Sequence, residues 1–409
     1  MSAPQDKSPW VNFRPHQFPG VDGIVERQEH PKNRLSDQAL SRIAKAYNYC
    51  WSIAETKEFS LWGSIIFKRH SLFHEVAKQE NLGRLRAMLE WPATNDLFYG
   101  FDNLYQEISS TCREGSPELK GYGLICMDRL VTLAEAVGAR RQWHPEADTW
   151  ADPIQQSPDD VIGSIEKVLG IRLDFPSPFR QAFGLPTARG LVSDRAIHAI
   201  YLAFRMVQLS QQPPGRSCFL EIGGGLGRAA YYSHRLGVRQ YVIVDIPVTL
   251  ACAAYFLMCS VGPERIALPG EGGEATAAIC LMAPEDFLKH RKNYDVAASV
   301  DAITEFALET SRKYLMKVAE SSPVMMSINH ELNAEMFRDL CLQTRGVLPA
   351  SRFPYWLRKG YVEEVAMSGD KVVRKVIRAR LRPTLRAMAA RVPYLLPALR
   401  AARRALKSR

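Results

Sequence analysis

Two hydrophobic rhythms divide the chain. From residue 36 to about 137, apolar residues recur at helical spacing. Leu40, Ile43, Ala44 and Tyr47 fall at i, i+3, i+4 and i+7, which is one face of a helix. Leu82, Leu85, Met88 and Leu89 continue the theme, as do Met127, Leu130, Leu133 and Ala134. Further helices are expected at 159–169 and at 193–210, the latter with Ile197, Ile200, Tyr201 and Phe204 on one face. Residues 1–35 read as irregular, because Pro4, Pro9, Pro15, Pro19 and Pro31 break any long element. Residues 143–158 read as a loop, and 174–190 are rich in turn residues.

Beyond residue 210 the rhythm changes. Short β-rich runs at 217–222, 240–245, 278–282, 295–300 and 323–328 alternate with helical runs, the signature of a parallel sheet built from βα units. Two last runs, 361–367 and 371–377, flank Ser368-Gly-Asp370, a hairpin signal. The expectation is an α/β protein of Rossmann-like kind: five parallel βα units plus an antiparallel hairpin, preceded by a mainly helical region. Its parts are expected at 1–195, 196–377 and 378–409.

The first expected strand runs into Glu221-Ile-Gly-Gly-Gly-Leu-Gly227, and a helix is expected at 228–236. Small residues there let the backbone pass close to a ligand, and a helix N-terminus offers unpaired N–H groups. Two dinucleotide registers exist. Starting at Gly223, the third small residue would be Arg228, too bulky for close helix–strand packing. Starting at Gly225, the pattern ends at Ala230 with Asp245 20 positions on, but two glycines are left over and Glu221 has no role. A site for S-adenosylmethionine (SAM) uses all of them, as Glu221, Gly223, Gly225 and Gly227. Glu221 would hold the ammonium of the methionine part, directly or through water. Asp245, at the end of the second strand and followed by Ile246, would accept from both ribose hydroxyls.

Leu220–Tyr232, with Tyr241-Val-Ile-Val-Asp-Ile-Pro247 and Ala253-Ala-Tyr-Phe-Leu257, resembles the sugar O-methyltransferase family, class I SAM-dependent methyltransferases. The resemblance extends upstream to Phe183-Gly-Leu-Pro-Thr-Ala-Arg-Gly190. Downstream it takes in Ser327-Ile-Asn-His-Glu331 and Trp356-Leu-Arg-Lys-Gly-Tyr-Val-Glu-Glu364. It covers residues 175–366 and implies methyl transfer to a hydroxyl of a sugar-containing acceptor. In such a fold Met282-Ala-Pro-Glu-Asp286 lies over the adenine, with Ala283 or Asp286 near its exocyclic amine. An exposed helix start with Pro284 at its first position reads equally well.

A sugar hydroxyl is a poor nucleophile at neutral pH, so the protein must align it and offer a base. In open α/β sheets such groups sit beyond the carboxyl ends of the strands, which selects Asp301, Glu305 and His330 as catalytic candidates. Asp301 and Glu305 would share a face if a helix begins there, and His330 is a base near neutral pH. Some sugar O-methyltransferases use Mg²⁺ to orient a diol. Asp301, Glu305 and Glu331 supply enough carboxylates, but no spacing is diagnostic, and no metal site is assigned. Arg189 is a candidate for the acceptor pocket or for the plain surface. The rival readings are an O-methyltransferase of aromatic or polyketide hydroxyls, and an inactive SAM-fold scaffold.

Charge adds one feature. The net charge is +10, but residues 371–409 hold 13 Lys and Arg and no Asp or Glu. Residues 1–370 carry 40 basic and 43 acidic side chains, a net of −3. A nucleic-acid-binding body would carry its positive charge on the fold itself, so no nucleic acid is expected. The tail interleaves Leu381, Leu385, Met388, Val392, Leu395, Leu396 and Leu399 with Arg, and such a segment can lie on an anionic membrane, or be a solvated or docked tail. The eight cysteines form no Cys-x-x-Cys pair, and neither a signal peptide nor a transmembrane run is evident. The expectation is a cytoplasmic enzyme, with peripheral contact at the inner face of the membrane and homodimerisation as further options.

Overall fold

Ser36 starts the first long helix: its side chain accepts the Ala39 N–H, and Asp37 in the first turn suits the positive helix end. The computed structural model describes residues 18–27, 31, 33–54, 69–142 and 157–369. In chain order the N-terminal part contains β1 (Ile24–Arg27), α1 (Asp37–Ile53), α2 (Ser71–Lys78), α3 (Leu82–Glu90), α4 (Asn103–Thr111), α5 (Pro117–Ala136) and α6 (Pro158–Leu169). The start of α6 is fixed by a capping box between Ser157 and Asp160, with Pro158 in the first turn, and its end by Gly170 in the left-handed conformation.

A small antiparallel sheet joins β1 to β2 (Gln181–Thr187) and β3 (Gly190–Val192), with Ile24 opposite Gly184 and Leu185 opposite Val192. The irregular readings of 1–35 and 174–190 therefore need correction. Pro186 and Gly184 hide the β pattern, and β1 finds its partner more than 150 residues away. Helix α7 (Asp194–Leu209), capped by Ser193, then leads into the large sheet.

The large sheet contains β4 (Cys218–Ile222), β5 (Gln240–Val244), β6 (Ile266–Ala267), β7 (Ile279–Met282), β8 (Val296–Val300), β9 (Val324–His330), β10 (Val347–Pro354) and β11 (Tyr361–Ser368). Their order is β10-β11-β9-β8-β4-β5-β7-β6. The strands from β4 to β9 pair in parallel, while β11 runs antiparallel between β9 and β10. All five expected parallel strands are present, and β6 adds a short sixth. The hairpin expectation was half right. The Tyr361 strand is there, but its partner is upstream at Val347–Pro354, and both its edges are taken. Residues 371–377, like the basic tail, lie outside the described residues.

The intervening helices are α8 (Arg228–Arg235), α9 (Pro247–Val261), α10 (Pro284–Lys289), α11 (Leu308–Ser321) and α12 (Glu331–Gln343). Strand alternation sorts the core onto the two faces of the sheet. Phe219, Tyr241 and Ile243 join the N-terminal helices in one core, while Cys218, Leu220, Val242 and Val244 face the other. Helix α9 is buried almost all round, because the sheet covers one side and α1 the other. All eight cysteines are free and buried. Among the described residues no helix is long and apolar enough to cross a membrane.

Candidate active site

The sheet order reverses at β4, whose neighbours are β5 on one side and β8 on the other. At such a switch point the loops beyond the carboxyl ends of the strands turn apart and leave a crevice. A cavity of about 720 Å³ lies here. Its floor is the Gly loop, and its lining includes the strand ends Val244, Val300 and Ile328. Cys50, Trp51 and Ala54 of the N-terminal region line it as well, as does Phe101, whose ring is within 4 Å of where a Gly225 side chain would start.

The glycines of the loop are required by space as well as by backbone. Gly223 has φ +80°, and a methyl group there would collide with the Ala302 side chain. Gly227 has φ +79°, and a Cβ would come within 2.9 Å of Leu257. Both demands favour glycine.

Glu221 is the next-to-last residue of β4 and is buried. The Tyr241 hydroxyl donates to its Oε2 at 2.9 Å. Burial pushes the Glu221 carboxyl up to about 8, with the charge of Asp245 adding to the shift and the Tyr241 hydrogen bond opposing it. Among the described residues no basic side chain contributes to holding its charge. Asp245 ends β5. The Ile246 N–H donates to its Oδ1 at 2.8 Å and the Gly225 N–H to its Oδ2 at 3.0 Å. Burial still pushes this carboxyl up to about 7. The Thr249 side chain hydrogen-bonds to it as well; a carboxylate has about four acceptor positions, so one remains for a ligand. Glu221, Gly223, Gly225, Asp245 and Ile246 all line the cavity, and Gly227 shapes the turn into α8.

The loop after β8 holds two of the three catalytic candidates. Asp301 has φ +55°, a strained conformation for a residue with a side chain. It is held by its N–H donating to the Ile328 carbonyl and by its Oδ1 accepting the His330 N–H at 3.3 Å. No α-helix begins at Asp301. A 3₁₀ turn, Ile303–Glu305, follows, and α11 starts only at Leu308. Both Asp301 and Glu305 nevertheless line the cavity. Glu305 is open to the cavity, yet desolvation by the surrounding protein, with Asp301 adding, pushes its carboxyl up to about 7.

His330 does not join them. Strand β9 runs two residues past its expected end, to His330 itself. The exposed ring accepts the Leu332 N–H through Nδ1 and caps α12, outside the cavity lining. Glu331 pairs with Arg352, so the three carboxylates considered for magnesium do not converge. Among the described residues no group of three or more His, Cys, Asp or Glu is arranged to hold a metal. Arg189 is likewise elsewhere, tied to Asp159 and Glu166 at 2.8 Å each. Asp286 accepts a hydrogen bond from Tyr49 at 3.2 Å. Its neighbours Pro284 and Glu285 line the cavity, but Asp286 and the buried Ala283 do not.

Several cavity residues were not foreseen. His198, on α7, places Nδ1 2.6 Å from the Tyr355 hydroxyl and Nε2 3.3 Å from Asp194. Burial, then the charges of Arg129, Arg195 and Arg358, hold its pKa well below the usual imidazole value. Arg358 lies over the Tyr361 ring at 4.0 Å and 3.7 Å from Asp301. Arg228, seen from the sequence only as an obstacle to one dinucleotide register, pairs with Asp102 at 3.1 Å.

No family model and no curated protein matches the chain. Among solved structures it is similar to TrmN from Thermus thermophilus, at 14% identity and a TM-score of 0.35, over 60% of this chain and 80% of that one. It is similar to magnesium protoporphyrin IX methyltransferase (ChlM) from Synechocystis PCC 6803 with bound SAM, at 13% identity and a TM-score of 0.33, over 43% and 80% of the two chains. For the mitomycin 7-O-methyltransferase MmcR the figures are 14%, 0.32, 42% and 55%. The Rossmann-like arrangement is read from this chain's own strand order.

Proposed function

We propose that the chain is a SAM-dependent O-methyltransferase whose acceptor is a sugar hydroxyl. The observation that carries this reading is the meeting of Glu221, the Gly loop and Asp245 in one cavity at the ends of adjacent parallel strands. The two carboxyls suit opposite ends of one ligand. Glu221 is buried, and among the described residues no cation balances it, so an ammonium group fits beside it. Asp245 keeps an acceptor position for a ribose hydroxyl. A nicotinamide dinucleotide would give Glu221 nothing to do.

Bound SAM would supply a methyl group already activated by its sulfonium. The chain's part is then to position a hydroxyl and take its proton. Glu305 is the better base of the two acids beside the crevice, because its raised pKa lies near neutrality. Asp301, fixed by backbone bonds and facing Arg358, orients the acceptor. The sugar reading is supported by a lining that mixes hydrogen-bonding groups with ring faces: Arg195, His198, Asp301, Tyr355, Arg358 and Tyr361. In this reading residues 1–195 help to close the cavity, and 196–377 form the SAM domain.

Incubation of the full chain with isotopically labelled SAM and a panel of glycans, followed by mass detection, tests the proposal. The expected product is a sugar heavier by one CH₂ unit, lost in Asp245→Ala. Transfer only to phenolic acceptors would replace the sugar reading. Absence of SAM binding would remove the methyltransferase reading altogether.

A further inference from the structure

The cavity wall that holds His198 and Tyr355 is rich in guanidiniums. Arg129, Arg195, Arg228 and Arg358 stand among the carboxylates Asp102, Asp194 and Asp301. Arg129 is buried against Asp194. Arg228 takes Asp102 at hydrogen-bonding distance, leaving Arg195 3.8 Å from the same carboxylate. Arg358 stands 3.7 Å from Asp301. His198 adds no positive charge, and its two nitrogens face Tyr355 and Asp194.

Arg195 and Arg358 both line the cavity. They are close enough for the charge of Arg195 to oppose that of Arg358, on top of its burial. Holding like charges together in a half-buried wall is unfavourable unless an anion offsets it. Glu305, across the loop, is not that anion, because its carboxyl feels burial and Asp301 but no arginine.

We propose that Arg195 and Arg358 form an anion subsite, and that the acceptor carries a carboxylate or a phosphate in addition to the hydroxyl that is methylated. The planar forks of two arginines match the oxygens of either group, with two parallel N–H···O bonds available from each. Arg195 is the principal anchor, since its contact with Asp102 is long and shared with Arg228. Tyr361, under Arg358, keeps that fork from swinging away. The inference deepens the sugar reading and rests on it. It narrows the acceptor from sugars in general to uronic acids, sugar phosphates or their conjugates.

The test uses the full chain saturated with S-adenosylhomocysteine, titrated with D-glucuronate, D-glucose 1-phosphate and D-glucose and read by saturation-transfer NMR and calorimetry. Either acidic sugar should bind at least about tenfold tighter than glucose, and added salt should weaken it. Which of the two binds better separates a carboxylate from a phosphate acceptor. Arg195→Met should lower acidic-sugar affinity by about ten- to a hundredfold, with S-adenosylhomocysteine affinity and melting temperature unchanged. Arg195→Lys should fall between, keeping charge but losing the fork. Arg358→Met serves as a second variant if the first does not fold. Equal binding of glucose and the acidic sugars, no binding of either acidic sugar, or unchanged affinity in both methionine variants would overturn the subsite. Failure of S-adenosylhomocysteine itself to bind is a separate result, which strikes the methyltransferase reading. The sugar titrations without it still report on the arginines.

Discussion

The hydroxyl of Tyr241 donates a 2.9 Å hydrogen bond to Oε2 of Glu221 across two adjacent parallel strands. It supports a carboxyl that burial has pushed up to about 8. At neutral pH this group is mostly protonated in the free protein, yet an ammonium ligand needs it ionised. Binding of SAM must therefore release a proton, and affinity must rise with pH from about 6 toward 8. Calorimetry at pH 7 in two buffers of different ionisation enthalpy would measure the release. A binding enthalpy independent of buffer would contradict the role given to Glu221. Tyr241→Phe removes the bond that opposes the shift, so the affinity profile should move to higher pH, with a loss of ~1 kcal/mol in stability.

The same groups set the stability of the ligand-free protein against pH. Glu221 is raised to about 8, and Asp245 and Glu305 each to about 7. All three are neutral by preference in the folded state and ionise near their ordinary values when unfolded. Their favourable contribution is complete below about pH 4 and disappears as pH rises through 7 to 8. Thermal melts of the Glu221→Gln and Asp245→Asn variants should therefore decline less between pH 6 and 9 than that of the unaltered chain. Parallel curves would mean that these carboxyls are better solvated than the structure has them.

Gly223 tests the loop itself. Its φ of +80° and the Ala302 side chain leave no room for a methyl group. Gly223→Ala should destabilise the fold by ~2 kcal/mol or more through strain and overlap together. It should also weaken S-adenosylhomocysteine binding at least about tenfold. Chemical denaturation and calorimetry on the same variant separate the two effects, and a variant as stable as the parent would show that the loop is not held as described.

His198 should stay uncharged from pH 8 down to below 6. Burial and three nearby arginines all disfavour its protonated form. The Nε2–H then donates toward Asp194 while Nδ1 accepts the Tyr355 hydroxyl. Nitrogen-15 spectra of the imidazole should show one tautomer from pH 8 down to below 6. Titration near 6.5 would break this arrangement.

The parts of the site that could be read from sequence are those carried by continuous segments. Glu221, the glycines and Asp245 stand where a strand meets a loop, and periodicity locates strand ends. The residues of the acceptor wall have no such signal. His198 and Tyr355 are 157 positions apart and meet only because α7 packs beside the segment joining β10 to β11. The small sheet was missed for the same reason, since β1 is four residues long and pairs with a proline-containing strand far along the chain. His330 was selected because strand ends face ligands. An extension of β9 by two residues was enough to turn its ring into a helix cap.

The central claim is that Glu221, the Gly loop and Asp245 bind SAM, and direct titration tests it best. Calorimetry of the full chain with S-adenosylhomocysteine should show saturable binding at one site per chain. Asp245→Ala should lose it by about a hundredfold or more, because the ribose would then lack its charged acceptor. The account would be contradicted by no binding to the unaltered chain, by full binding to the variant, or by NADH binding in its place.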